Sequence, residues 1–189
     1  MIAYHGTVAE GLTELRPFAN PHSNLDYPCV YLATYKALAA IYIWNRPYKW
    51  MTFEIPEDGI PVYNESFQNG LRFFYGGVKG IIYTCEGDFQ TDKNTTIRHA
   101  VVSRQPVRVI GTDKVEDAYE RILQYEKKGL LRINRFESLT KTQRQKDHNM
   151  VLSAIRRLEL LKGTSFVSQT FPELWEEAIR QAEQADHNA

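Results

Sequence analysis

Ile2-Ala3-Tyr4-His5-Gly6-Thr7 begins the 189-residue chain with a short apolar run that ends in an imidazole, a glycine and a hydroxyl. Cys29-Val30-Tyr31-Leu32-Ala33 is a second apolar run, and turn-forming residues bound both. Short apolar runs bounded in this way predict strands. Eleven residues beyond Tyr31, Tyr42 lies in a segment whose residues favour a helix. The sequence therefore predicts two early strands and a helix, each with a ring side chain.

Further strands are predicted in the first 111 residues, where β-branched or alternating segments recur. These segments are Trp50–Ile55, Gly80–Cys85, Ile97–Val102 and Pro106–Ile110. One helix is predicted among them, with Thr34 as the N-cap, Ala37 to Trp44 as its body and Pro47 beyond its end. The first part of the chain is therefore expected to be a sheet with one early helix.

The second part of the chain has helical patterns. Residues Asp113–Glu116 have the spacing of a capping box, Thr140–Gln143 predicts the start of a second helix, and Thr170–Glu173 predicts a third. An apolar stripe follows each start. The expected fold class is α+β, with a core over residues 1–112 and a helical extension over residues 113–189 packed on it.

Charge is balanced overall but not locally. The chain has 23 basic and 23 acidic side chains, yet residues 127–162 carry a net +7 and residues 163–189 a net −4. A basic segment of this kind could bind an anionic partner such as nucleic acid. The alternative is that the basic and acidic segments pair with each other or are simply solvated.

Composition also bears on location and on metal chemistry. No apolar run approaches the ~20 residues that a membrane-spanning helix needs, and the N-terminus has no secretory pattern. The two cysteines do not make a disulfide framework, and the five histidines are scattered. We expect a cytoplasmic protein with no metal site and no membrane segment.

The early ring side chains suggest a site for a flat heteroaromatic amide. Gly6 would let a ligand approach the backbone closely, because it has no Cβ. His5 and Thr7 flank this glycine, and Tyr31 offers an aromatic face for stacking. The alternative for each residue is structural, with His5 hydrogen-bonded, Tyr31 in the core and Tyr42 in helix packing.

The same residues resemble a family, the ADP-ribosyltransferases of the histidine–tyrosine–glutamate type, which include the poly(ADP-ribose) polymerases. The resemblance covers roughly residues 2–45 and rests on His5-Gly6-Thr7, on Tyr31 in its strand context and on Tyr42. It implies a split mixed or antiparallel sheet with NAD bound as substrate. It also implies that Gly6 binds the nicotinamide amide with help from Thr7, that Tyr31 and Tyr42 sandwich the ring, and that His5 bonds the adenosine ribose.

The family places a catalytic glutamate on a later strand, where it stabilises an oxocarbenium-like ribose. Here Ile97–Val102 contains no carboxylate, and His99 or Ala100 would occupy the position. Glu86, after the strand Gly80–Cys85, is the nearest catalytic candidate, and Glu54 is another. A second departure is Ala39, where the polymerases have a serine that bonds the amide.

Two main functions follow from the resemblance. One is an enzyme that transfers ADP-ribose from NAD to a macromolecule, such as a protein acceptor, or to water. The other is a catalytically inactive module that binds NAD, ADP-ribose or a protein partner, which the missing glutamate favours. A third hypothesis, from charge alone, is nucleic-acid binding through Lys127–Lys162.

Overall fold

The computed structural model describes residues 1–19, 25–46, 51–95, 97–156 and 166–187. It divides into two compact units. The first comprises the described residues of Met1–Arg46, Thr52–Asn64 and Leu71–Ile133, and the second comprises the others.

Nine strands and six α-helices are found in the described residues. The strands are β1 Ile2–Thr7, β2 Glu14–Leu15, β3 Val30–Ala33, β4 Met51–Glu54, β5 Val62–Glu65, β6 Gly80–Glu86, β7 Ala100–Ser103, β8 Val107–Val115 and β9 Arg132–Asn134. The helices are α1 Lys36–Ala40, α2 Gly70–Tyr75, α3 Ala118–Lys127, α4 Lys141–Ile155, α5 Phe166–Thr170 and α6 Pro172–His187, with a 3-10 turn at Phe136–Ser138. The order confirms an α+β chain with a helical C-terminal part.

The first unit contains a six-stranded sheet in the order β2-β8-β6-β1-β3-β7. Each of its pairings is antiparallel. Strand β1 lies between β6 and β3, and it pairs with β6 along its whole length, from Ile2 opposite Glu86 to Thr7 opposite Ile81. A second sheet has the order β4-β5-β9. Whether this arrangement is the split sheet of the resembled family stays a prediction.

One face of the six-stranded sheet carries the main apolar cluster. Ala3 from β1, Leu32 from β3, and Tyr83 and Cys85 from β6 are among its buried members. The alternation of strand residues places Tyr4 and Gly6 on the opposite face, where α1 packs against β1. Burial of this apolar surface is the main favourable free energy for the sheet.

The predicted start of the helical part at Asp113 is wrong. Asp113 lies inside β8, whose period-two burial pattern continues to Val115. Its carboxylate accepts from Lys36 and Arg121, each at 2.7 Å. Helix α3 begins at Ala118 instead, where the side chain of the N-cap Asp117 accepts a backbone N–H. The capping-box spacing at residues 113–116 is therefore coincidental, because strand pairing with β6 uses this segment.

The early helix also differs from its prediction. Tyr35, not Thr34, occupies the N-cap of α1 and makes no side-chain cap bond. The helix ends at Ala40 rather than at Trp44. The backbone N–H of Thr34 instead donates to the carbonyl of His99, the residue before β7, at 2.8 Å. The predicted capping box of the second helix is confirmed, with Thr140 at the N-cap of α4.

The packing of α1 on β1 leaves no space for a Cβ at position 6, so a larger residue there should destabilise the fold. A Cβ at Gly6 would lie 1.8 Å from the Ala39 carbonyl oxygen and 2.8 Å from its carbon, both backbone atoms. We expect Gly6→Ala to lower the free energy of unfolding by about 2 kcal/mol or more, measured by urea denaturation.

Gly111→Ala is the matched control, since Gly111 is also a strand glycine. A Cβ there would meet Thr84 at 3.5 Å, which is an ordinary contact. We expect a change within about 0.5 kcal/mol for this variant. If Gly6→Ala and Gly111→Ala lower the free energy of unfolding equally, the close packing of α1 on β1 is not a constraint on stability.

Candidate functional site

A cavity of about 490 Å³ lies in the first unit, and all five residues predicted to bind the cofactor line it. Three belong to β1, one to β3, and one follows α1: His5, Gly6, Thr7, Tyr31 and Tyr42. Tyr4, Leu38 and Ala39 complete this part of the wall. The fold therefore brings together residues that are separated by up to 37 positions in the sequence.

The backbone of β1 explains why the cavity forms beside Gly6. Met1 and Gly87 exchange hydrogen bonds at 2.7 and 3.1 Å, which fixes the alternation along the β1–β6 ladder. In this alternation, Gly6 points its N–H and C=O away from β6 and toward the side of β3. Pairing of β1 with β3 is confined to Tyr4 and Ala33, however, so the two strands part before Gly6. The Gly6 amide groups consequently face the gap between them.

His5 bridges the parted strands through its side chain. Its Nδ1 lies 2.8 Å from the Tyr31 carbonyl oxygen, and because a carbonyl only accepts, Nδ1 carries the proton. Burial lowers the pKa of His5 below 6.5, although the bond to Tyr31 opposes this shift. The ring is therefore neutral at pH 7, and Nε2 has a lone pair that can accept a hydrogen bond.

The two tyrosines differ in their surroundings. Tyr31 is half-buried on β3 and packs against the small cluster that contains Cys29 and Val102. Tyr42 has 37% of its surface exposed, and its ring meets Phe53 edge-on with centroids 6.4 Å apart. Desolvation of the phenol nevertheless raises the pKa of Tyr42 to about 12, so it stays protonated at physiological pH. Both rings can therefore contribute uncharged aromatic surface to the cavity.

Gly6 has a packing role that the sequence did not indicate. Its missing Cβ makes room for the Ala39 carbonyl of α1, and close approach of a ligand to its backbone stays a prediction. The backbone N–H and C=O of Gly6 face the cavity. Ala39, at the position where the polymerases have a serine, also lines the cavity, but its methyl group makes no hydrogen bond.

Neither carboxylate candidate lines the cavity. Glu86 is exposed at the end of β6, opposite Ile2, whereas His5 is opposite Tyr83. Three strand residues separate these positions, or roughly 10 Å. Glu54, on β4, is exposed and is also absent from the described wall. The structure therefore does not place Glu86 or Glu54 beside the predicted cofactor residues.

Residues 99 and 100 occupy the position where the resemblance implies a glutamate. Strand β7 pairs with β3, Ala100 lies opposite Ala33, and both line the cavity. His99 adopts φ 70° and is held outside the described wall, with Nε2 2.9 Å from the Gly59 carbonyl oxygen. Its ring stacks on Tyr35 with centroids 5.2 Å apart. The structure thus places a methyl group, not a carboxylate, in the wall.

The described wall is uncharged. No Asp, Glu, Lys or Arg is among its described residues, and the described part of the chain contains no cluster of three potential metal ligands. Among these residues, no helix is both long and apolar enough to cross a membrane. The described wall therefore offers a ligand aromatic surface and uncharged hydrogen-bonding groups, not a charged partner.

Asn94 and Thr95 are among the wall residues that sequence reasoning missed. Both lie between β6 and β7 and line the cavity with polar side chains. Asp92 accepts the N–H of Asn94 at 2.8 Å, which is an Asx turn. An Asp two residues before an Asn signals such a turn, but nothing in the local pattern indicates that the turn lies beside His5 or Tyr31.

The basic segment lies mainly in the second unit. The side chains of Lys141, Arg144 and Lys146, all near the start of α4, are exposed. Later on α4, His148 Nε2 lies 3.1 Å from a carboxylate oxygen of Glu177 on α6. Nucleic-acid binding by this segment stays a prediction.

In comparisons with known proteins, no family model matches the chain and no curated protein sequence matches it significantly. The resemblance to ADP-ribosyltransferases therefore stays a prediction that depends on the motif residues alone.

The state of His5 predicts a pH dependence of stability. The pKa of His5 is lower in the folded chain than in the unfolded chain, where it is about 6.5. Below pH 6.5 the unfolded chain therefore binds a proton more readily than the folded chain, so protonation favours unfolding. We expect the free energy of unfolding to fall from pH 7.5 to pH 5.5, measured by urea denaturation. His5→Asn retains an N–H donor for Tyr31 without titrating, so it should lose less stability over the same interval. Equal losses in the two proteins would contradict a buried neutral His5.

Proposed function

We propose that this protein binds NAD and places the nicotinamide ring in the cavity beside Gly6. The observation that carries the proposal is the convergence of His5, Gly6, Thr7, Tyr31 and Tyr42 on one cavity. A volume of about 490 Å³ is within the range of small-molecule sites, and an apolar wall with a few polar groups is typical of them.

The chemistry of the wall supports a carboxamide ligand. A buried primary amide needs both an acceptor and donors, and the N–H and C=O of Gly6 supply them without loss of side-chain entropy. Tyr31 and Tyr42 offer rings for stacking, which contributes roughly 0.5–1.5 kcal/mol beyond area burial. The neutral His5 offers Nε2 as an acceptor for a hydroxyl of the ligand.

Binding without turnover is the better supported form of this function. Cleavage of the nicotinamide–ribose bond builds positive charge, which a nearby carboxylate stabilises. The described wall holds Ala100 where that carboxylate is expected, and Glu86 lies elsewhere on β6. Transfer of ADP-ribose to a macromolecule or to water is the second candidate, and the motif resemblance favours it.

Removal of the Tyr31 ring tests the binding site. Tyr31→Ala should weaken nicotinamide affinity by at least about tenfold, on the order of 1.4 kcal/mol, measured by isothermal titration calorimetry. Tyr31→Phe is the matched control, because it keeps the stacking surface, and it should bind within about threefold of the parent. Unchanged affinity in a folded Tyr31→Ala protein would reject the ring site.

Introduction of a carboxylate tests whether its absence from the wall limits turnover. The parent protein should gain thermal stability from NAD but release nicotinamide only at the background rate. Ala100→Glu places a carboxylate on the wall and should raise release at least tenfold, whereas Ala100→Gln, which is similar in size and uncharged, should not.

The outcomes separate the two functions. Nicotinamide release by the parent above background would favour the enzyme. Thermal stabilisation without release would favour the binding module. The absence of both effects would reject the proposed function altogether.

A further inference from the structure

The cavity wall contains a second polar region besides Gly6 and His5. Asn94 is exposed and Thr95 is half-buried, and both line the same cavity as Tyr31. They belong to the segment between β6 and β7, so a different part of the chain positions them. Neither is charged. A ligand whose ring lies at Gly6 can therefore meet a second set of hydrogen-bonding groups in the same cavity.

Asp92 fixes the conformation of this region. Its carboxylate accepts the N–H of Asn94 at 2.8 Å. Its backbone carbonyl accepts the N–H of Thr95 at 2.9 Å and the Thr95 hydroxyl at 2.6 Å. Because the Thr95 hydroxyl proton is used in this way, its oxygen can offer only lone pairs to a ligand. The carboxamide of Asn94 offers both a donor and an acceptor.

Asp92 is itself held by Tyr27 and Arg104. The Tyr27 hydroxyl donates to Asp92 at 2.5 Å, and the Arg104 guanidinium lies 3.9 Å from the Tyr27 ring centroid. The hydrogen bond from Tyr27 is the main cause that lowers the pKa of Asp92, so the carboxylate is ionised at neutral pH. Tyr27 and Arg104 line a neighbouring cavity of about 210 Å³ rather than the large one. The hydrogen bond to Asp92 therefore gives Tyr27 an indirect connection to the turn that lines the large cavity.

The donor and acceptor pattern defines the ligand chemistry. A hydroxyl group complements it, because it can donate to the Thr95 oxygen and accept from the Asn94 amide. A phosphate has only acceptors at its charged oxygens, and it would face the Thr95 lone pairs and the nearby Asp92 carboxylate. The described wall offers no Lys or Arg to offset that repulsion. The region is therefore suited to an uncharged group that carries hydroxyls.

We propose that Asn94 and Thr95 form a subsite for the sugar hydroxyls of a nucleoside-like ligand, with Asp92 and Tyr27 as positioning residues. The inference rests on the proposed function and makes it more specific. The protein recognises the ring together with its sugar, and Asn94 determines that specificity.

Two ligands that share a cationic nicotinamide ring but differ in the sugar measure the contribution of the sugar to binding. Nicotinamide riboside carries ribose on the ring nitrogen, and 1-methylnicotinamide carries a methyl group there. By isothermal titration calorimetry, the parent protein should bind the riboside at least tenfold more tightly. Asn94→Ala should remove most of this preference by weakening riboside binding alone. Lys93→Ala, an exposed neighbour in the same turn outside the described wall, should preserve it.

Tyr27→Phe tests the positioning role. It removes the donor to Asp92 without altering the wall, so we expect the riboside preference to fall about threefold while 1-methylnicotinamide affinity is unchanged. A purely structural defect would weaken both ligands equally. The inference is overturned if Asn94→Ala keeps the full preference or weakens both ligands alike. If the parent binds neither compound, nor nicotinamide or NAD, the proposed function itself has failed.

Discussion

The close contact of α1 with β1 at Gly6 is the constraint on which the cavity depends. The Ala39 carbonyl occupies the space that any other residue at position 6 would need for its Cβ. This contact sets the distance of the helix from the sheet, and the helix in turn carries Leu38 and Ala39 into the wall. Tyr42 follows directly after the same helix. A side chain at position 6 would displace these residues together, because a packed interior does not absorb such an overlap.

The second structural condition is the parting of β1 from β3. A regular ladder would pair Gly6 with Tyr31 and consume the backbone groups that now face the cavity. The His5 imidazole takes the Tyr31 carbonyl instead, at 2.8 Å, so the parting leaves that acceptor satisfied. A buried carbonyl without a partner would cost about 1–3 kcal/mol. The histidine therefore has a structural role that depends only on the N–H at Nδ1. The proposed acceptance of a ligand hydroxyl at Nε2 additionally requires the neutral ring.

Local sequence patterns predicted the elements that carry the site but not the reason for each residue. The apolar runs around Tyr4 and Tyr31 are strands, as their composition indicates. The packing of Ala39 against Gly6 was not predicted, because a sequence does not show which backbone packs against a glycine. Asp113 was placed at a helix start because a capping-box spacing outweighed the alternation of β8. Strand β5 and helix α2 were missed, since neither segment has a clear period. In each case, tertiary pairing decided the structure.

The lack of charged side chains in the described cavity wall is compatible with ligand binding but does not support cleavage of the ligand. Every described polar group on the wall is uncharged at neutral pH, including His5 and Tyr42, whose pKa values burial shifts away from ionisation. Such a wall can hold an amide and hydroxyls, but it provides no negative charge for a developing ribose cation. Asp92 is an ionised group beside the wall: its carboxylate accepts the N–H of Asn94, and its backbone carbonyl accepts from Thr95. Under the proposed function, this carboxylate would act on recognition only through the conformation of the turn. A carboxylate at Ala100 would instead act directly on the ligand, so that, under the proposed function, this one position is expected to separate binding from turnover.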